Sequence, residues 1–203
     1  MSEAHEEKSF DLIKEFRTGV SVGWDYIAHT VFEKLPPKHH DVELMGYAGV
    51  LFGLAAKLAP KTIVEIGCQY GISTRMWLAV AERTQGQVHS FDIDPECAKL
   101  DLGDASRWTF HLGRSQEIAP IACDLLYVDG DHSYEAVCAD MMRHGPMVRN
   151  GGLVILDDYH RSWPGKIRWI DERFDVLEPI AIGPTAVFRM TPAKRSACSK
   201  VFP

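Results

Sequence analysis

No apolar run in this 203-residue chain reaches the roughly 18 residues a membrane-spanning helix requires, so no membrane partner is expected. Cysteine is sparse and scattered. The five, at positions 68, 97, 123, 138 and 198, form no C-x-x-C pair, and most sit in apolar runs where a thiol behaves as a small hydrophobe. A disulfide framework is therefore excluded as an expectation. Positive charge is also in short supply: the formal net charge of −6 argues against nucleic acid as a partner, with Lys194-Arg195 the one local basic pair of note. Small-molecule or sugar partners fit this balance better. The N-terminus, Met1-Ser-Glu-Ala-His-Glu-Glu-Lys8, is acidic and polar rather than an apolar leader, and the expected compartment is the cytoplasm. No internal repeat is present.

The chain does have enough apolar residues for one substantial core, with 46% hydrophobic and 10% aromatic content, and a single domain over 1–203 is expected. Trp24, Ile27, Ala28, Val31, Phe32 and Leu35 recur with helical spacing and stop at Pro36-Pro37, which predicts a helical cap over 9–35, within residues 1–40. These amphipathic helices could serve a homo-oligomer interface. A second helix, 41 to about 58, is apolar nearly all round and should pack on a sheet. From Lys61, β-rich runs alternate with helical segments: 62–66, a helix from 73, 87–92, 108–112, 123–129, a helix from about Tyr134, then 153–157. This alternation predicts an α/β, doubly wound, mainly parallel sheet in a Rossmann-like core over 41–192. Asn150-Gly-Gly152 reads as the turn into the last of these strands. Strands over 176–182 and 185–190 have too little between them for a crossover and are expected to form an antiparallel hairpin. Residues 193–203 are polar without clear periodicity and are expected to be a mobile tail.

Thr62-Ile-Val-Glu-Ile-Gly-Cys-Gln-Tyr-Gly-Ile-Ser-Thr74, followed by Val88-His-Ser-Phe-Asp-Ile-Asp-Pro95, reads as strand, glycine turn, helix and second strand ending in a carboxylate. Nucleoside cofactors bind outside the carboxyl ends of such strands, where an acid can accept from ribose hydroxyls. Dinucleotide turns carry G-x-G-x-x-G, whose second glycine admits a pyrophosphate; here Gln69 occupies that place, which argues against one. S-adenosylmethionine has no phosphate and needs less room.

On these residues the chain resembles the class I methyltransferases, and within them the metal-dependent O-methyltransferases of the catechol and macrocin types. The resemblance runs through Val64-Glu-Ile-Gly67, Gly71-Ile-Ser73, Phe91-Asp-Ile-Asp-Pro95, Gly113-Arg-Ser-Gln116 and Leu126-Tyr-Val-Asp129, over roughly 62–160. It implies a seven-stranded sheet in the order 3-2-1-4-5-7-6 with the last hairpin antiparallel. It also implies an S-adenosylmethionine site in which Glu65 supports the methionine end, Gly67 and Gly71 form the turn, and Asp92 holds the ribose. Ser115 and Gln116 would face the adenine, with Cys68, Gln69 and Ser73 contributing through backbone or short side-chain contacts. For Glu65 a buried structural hydrogen bond is the competing reading, and for Ser115 and Gln116 an N-cap.

Cys123–His132 and Leu153–His160 each run from an apolar strand into acids, and adjacent strands lie about 4.8 Å apart. Asp129, Asp157 and Asp158 can therefore converge, and such like charges call for a cation. Oxygen-only ligands select a hard divalent ion such as Mg²⁺. The competing reading is that Asp157 or Asp158 only caps the following loop. His132 stands where the macrocin type has a catalytic histidine, and an ordinary imidazole pKa of about 6.5 suits a general base. His160, Arg161 and Trp163 could line a substrate pocket, while His89 and His111 read as structural.

The resulting expectation is metal-dependent O-methyl transfer to a hydroxyl with a neighbouring oxygen. Two rivals are a D-x-D glycosyltransferase, through Asp92-Ile-Asp94 or Asp129-Gly-Asp131, and a binding protein without turnover.

Overall fold

A computed structural model describes residues 42–182 and 184–199. The expected helical cap over 1–40 lies outside the described residues, as do residues 200–203. Helix α1 (Val42–Leu58) leads into β1 (Thr62–Ile66), α2 (Ile72–Thr84), β2 (Gln87–Asp92) and, after a short 3₁₀ turn, β3 (Trp108–Leu112). Then come β4 (Cys123–Val128), α3 (Tyr134–His144), β5 (Val148–Leu156), α4 (Pro164–Asp171), α5 (Phe174–Leu177), β6 (Ile180–Ile182), β7 (Thr185–Arg189) and α6 (Pro192–Cys198).

The strands form one sheet in the order β3-β2-β1-β4-β5-β7-β6. Pairing is parallel from β3 through β5, and antiparallel where β7 joins β5 and β6. Strand side chains alternate faces, so one sequence feeds two cores. Ile63, Leu125, Tyr127, Leu153 and Ile155 pack under α1 and α2, chiefly against Leu51, Phe52, Trp77 and Val80. Val64, Leu126, Val128, Val154 and Leu156 pack on the opposite face against Val137, Met141, Trp169 and Ile170 from α3 and α4. Both faces covered by helices explains why the central strands are nearly continuous apolar runs. Among the described residues no helix is long and apolar enough to cross a membrane.

Three local expectations are corrected. The strand expected from 176 is shorter: α5 occupies Phe174–Leu177, burying Leu177 in the second core, and Glu178 at φ 47° ends it, leaving Ile180–Ile182 as strand. Asn150-Gly151-Gly152 is not a turn before a strand. It lies within β5, where the register against β4 shifts between Cys123 and Leu125, so the strand carries its extra residues as an irregularity. The expected mobile tail begins instead as a capped helix. Thr191 Oγ1 accepts from Lys194 N at 3.3 Å, Pro192 occupies the first turn, and Ala197 and Cys198 bury into the second core. The stem of Lys194 is also buried, with Nζ 3.3 Å from Glu178. Two apolar anchors and a cap suffice to dock a polar-looking segment.

Candidate active site

The carboxyl ends of β1, β2, β4 and β5 open into a cavity of about 530 Å³, within the range of small-ligand sites. Its walls include Gly67, Cys68, Gln69, Ser73, Asp92, Ser115 and Gln116 at one end and Asp129, His132, Asp157 and Asp158 at the other.

The first end is organised by backbone. Asp92, the last residue of β2, accepts from Cys68 N at 2.9 Å, Gln69 N at 3.0 Å and Asp94 N at 3.0 Å. Burial alone would raise its pKa, but these N–H donors outweigh that and hold it below the usual value, so the carboxylate is ionised at neutral pH. An ionised acceptor on the wall of a nucleoside-sized cavity fits a ribose diol. Gly67 takes φ 85°, and a Cβ there would stand 2.3 Å from the Asp129 carbonyl oxygen, so the turn passes against the tip of β4 only because this residue has no side chain. Gly71, also in the left-handed region at φ 74°, N-caps α2 and faces Leu100 and Leu102 rather than the cavity.

Glu65 is not on the cavity wall. Its carboxylate is buried beneath the turn, accepting from Ser73 Oγ at 2.6 Å, Thr74 Oγ1 at 2.7 Å and Ser90 Oγ at 2.5 Å; Ser90 Oγ in turn accepts from Trp108 Nε1 at 2.9 Å. Burial pushes its pKa up to about 7 despite those three donors. The structure thus gives it a buried, hydrogen-bonded place beneath the turn, behind Ser73 on the cavity wall. Ser115 and Gln116 reach the cavity, but both donate to Asp140 of α3, Gln116 Nε2 at 2.6 Å. Burial raises the Asp140 pKa to about 6. The Cys68 side chain is buried with its thiol pKa raised by burial, so its contribution at the turn is its N–H.

The second end is organised by side chains. Asp129 and Asp158 follow β4 and β5, and together with His132 they offer ligand atoms all within 4.8 Å of one another. His132 Nε2 is 3.4 Å from Asp158 Oδ2, and its ring packs against Trp163 at 4.3 Å between centroids. Burial, reinforced by the charge of Lys166, lowers the His132 pKa, keeping the ring neutral at neutral pH; its Nδ1 has no partner among the described residues. Burial also raises the Asp129 pKa well above the usual value, with Lys166 opposing that shift.

Asp157 does not join this group. It points to the α1 side of the sheet, where Tyr47 OH at 2.9 Å, Thr185 Oγ1 at 2.9 Å, Tyr127 OH and Asp158 N all donate to it. Alternation along β5 sends Asp157 to the face of Leu153 and Ile155, while Asp158, at φ 55°, has its carboxylate beside His132. Asp129, Asp158 and His132 thus already stand together, whereas Asp157, also on the cavity wall, is engaged by hydroxyl donors.

His160 and Arg161 are exposed and absent from the cavity wall, His160 Nδ1 lying 3.1 Å from Ser162 Oγ. Trp163 instead helps form an open groove of about 740 Å³ that shares His132 and Asp131 with the main cavity. His89 and His111 pair with each other in the sheet, ring nitrogens 3.1 Å apart. Asp94 and Asp131, the second acids of the two D-x-D patterns, accept from Glu96 N and Ser133 N in turns. Sequence reasoning missed Asp140, Lys166 and the hydroxyls around Asp157. Lys166 carried a faint signal as the one charge in Trp163-Pro-Gly-Lys-Ile167, just after the acids.

Residues 64–159 match the family described as a methyltransferase domain. A protein of Mycobacterium tuberculosis named "Probable O-methyltransferase" is 31% identical over 127 residues, covering 56% of this chain and 54% of its own length. The chain thus spans about half the length of that relative. Among solved structures, CalS11, a TDP-rhamnose 3'-O-methyltransferase of calicheamicin biosynthesis, superposes with a TM-score of 0.57 at 16% identity, covering 93% of this chain and 95% of its own. The O-methyltransferase NovP gives 0.57 at 18% identity with 90% and 99% coverage. The MycE methyltransferase of the mycinamycin pathway, solved with Mg, SAH and mycinamycin VI, gives 0.53 at 20% identity with 65% and 45% coverage. At these identities the likeness is one of fold.

Proposed function

Taking residues 64–159 as a methyltransferase domain of the S-adenosylmethionine-dependent O-methyltransferase family, we propose that the chain transfers a methyl group from S-adenosylmethionine to a hydroxyl of a small molecule or sugar bearing a neighbouring oxygen, with help from a divalent cation such as Mg²⁺. The observation that carries this reading is one cavity with an ionised ribose acceptor, Asp92, at one end and a neutral imidazole beside two carboxylates at the other.

The cofactor supplies an electrophilic methyl on its sulfonium, and an ion held by Asp129 and Asp158 supplies Lewis acidity toward the acceptor hydroxyl. The chain's own residues do the rest. Asp92 accepts from the ribose hydroxyls, and the glycine turn lets the backbone close on the nucleoside. His132 accepts the acceptor's proton at Nε2, and Asp158, 3.4 Å away, stabilises the imidazolium that results. The enclosing strand tips hold both reactants in a site with little water, where positioning contributes most of the acceleration. Mg and SAH in the MycE complex support both ligands, and the sugar named for CalS11 supports the acceptor class.

The D-x-D glycosyltransferase reading is not favoured, since the second acid of each pattern is held in a turn. Calorimetry with S-adenosylhomocysteine and with a nucleotide sugar separates the two, and binding of the sugar nucleotide alone would overturn the proposal. With an active vicinal diol, methyl transfer is expected to be lost in EDTA. In His132→Ala it should fall by about 10²–10⁴-fold, with S-adenosylhomocysteine affinity nearly unchanged.

A further inference from the structure

Lys166, in the first turn of α4, is fully buried, and nothing in the proposed transfer uses it. Its Nζ lies 3.5 Å from Asp129 Oδ1 and 3.5 Å from the Val128 carbonyl oxygen, reaching the tip of β4 from the protein side. Nearly a third of the Asp129 side chain, 31%, remains open. The approach is built into the backbone. A Cβ on Gly165 would stand 2.4 Å from both the His132 carbonyl oxygen and Tyr134 N, so only glycine lets α4 press against this loop and bring Lys166 beneath the acid. A buried ammonium is costly unless a carboxylate answers it, and Asp129 is the acid within ion-pair reach.

We propose that Lys166 is a positioning residue of this site: a resident cation that holds Asp129 from beneath, supplies part of the positive charge the acids call for, and so weakens the binding of a divalent ion at Asp129 and Asp158. The inference rests on the methyltransferase reading of the cavity, and it goes beyond that reading because a metal corner of acids alone needs no lysine. An ammonium fixed against one of two ligand carboxylates competes for that oxygen and repels an incoming dication, an effect that a low-dielectric surrounding preserves.

The test is calorimetric titration of the full chain at pH 8 with Mg²⁺, and separately with S-adenosylhomocysteine, for the wild type, Lys166→Gln and Lys166→Arg. The glutamine keeps a donor for the Val128 carbonyl and Asp129 while losing the charge, and the arginine keeps the charge. Lys166→Gln is expected to bind Mg²⁺ about tenfold or more tightly than wild type, with Lys166→Arg within about twofold of wild type. Equal or weaker Mg²⁺ binding by Lys166→Gln overturns the inference, as does a gain of the same size in Lys166→Arg. Failure of all three proteins to bind S-adenosylhomocysteine would instead refute the reading of the cavity. Should Lys166→Gln not fold, Lys166→Met in the same titration takes its place under the same criteria.

Discussion

At the glycine-turn end of the cavity the carboxylate on the wall is held by main-chain N–H groups of its own motif, whereas at the β4–β5 end each acid is held by side chains that come from distant parts of the chain. Asp92 takes its donors from Cys68, Gln69 and Asp94. Asp157 takes hydroxyls from Tyr47 on α1 and Thr185 on β7, 110 and 28 residues away in sequence. A site built from backbone can be read wherever its turn is recognised. One built from side chains depends on which of two neighbours faces which way, and on what the opposite helices deliver there.

The two ends meet at Gly67, so a single methyl group there should disturb both. Gly67→Ala would place its Cβ 2.3 Å from a backbone oxygen that cannot move aside, at φ 85° where an L side chain is strained in any case. We expect a loss of about 5 kcal/mol in urea unfolding, at the extreme of single-substitution effects, or failure to fold. A variant within about 1 kcal/mol of wild type would show that the turn and the β4 tip are not in contact.

Asp157→Ala sharpens the comparison from the other side. It strands the hydroxyls of Tyr47, Tyr127 and Thr185, all buried, each at about 1–3 kcal/mol, so a loss of roughly 4 kcal/mol in chemical denaturation is expected. Burial and the adjacent carboxylate raise the pKa of both tyrosines, which therefore remain donors at any working pH. A variant that stayed fully stable while losing divalent-ion binding would restore Asp157 as a metal ligand.

Glu65 tests the backbone-built end by pH. Its folded-state pKa of about 7 lies above the ordinary 4.5, so the folded chain keeps a proton that the unfolded chain has released in that interval. Its contribution is fully present below about 4.5 and lost as pH rises through about 7. Wild type should therefore lose up to about 3 kcal/mol of stability across this window relative to Glu65→Gln, whose amide does not titrate there. Urea midpoints of the two proteins between pH 4.5 and 8 give the difference directly. Parallel curves would mean the three hydroxyls keep Glu65 ionised throughout.

The same contrast explains what could be read from the sequence. The alternation of strands and helices, the glycine turn and the acid closing β2 are local patterns, and α1, α2, β2 and β3 lie within a few residues of where periodicity puts them. Ser115 and Gln116 were legible as cavity residues but not as donors to Asp140, because α3 brings that acid from 24 residues further on. The doublet Asp157-Asp158 looks symmetric as letters. In space the two part, Asp157 among hydroxyls on the α1 side and Asp158, at φ 55°, beside His132, and the letters alone do not say which of them faces which way. The helix over 192–198 was missed because only two of its apolar residues, Ala197 and Cys198, reach the core, although Thr191-Pro192 is a readable start signal.

Asp158→Asn should have the smallest effect on stability and the most specific effect on chemistry. Asparagine accepts the φ of 55° at least as readily as aspartate, and the carboxylate it replaces is 29% exposed, with its nearest ionic partner 3.4 Å away. Unfolding free energy should change by no more than about 0.5 kcal/mol, the range of substitutions that break no buried network. Divalent-ion binding should nonetheless weaken, because an amide oxygen brings no negative charge to the pair formed with Asp129. Under the proposed transfer, methylation should fall further still, because the charge that would stabilise a protonated His132 is removed together with a proposed metal ligand. Comparable losses of stability in Asp157→Ala and Asp158→Asn would mean that both acids belong to one buried network, and the distinction between a structural and a chemical member of the doublet would not survive.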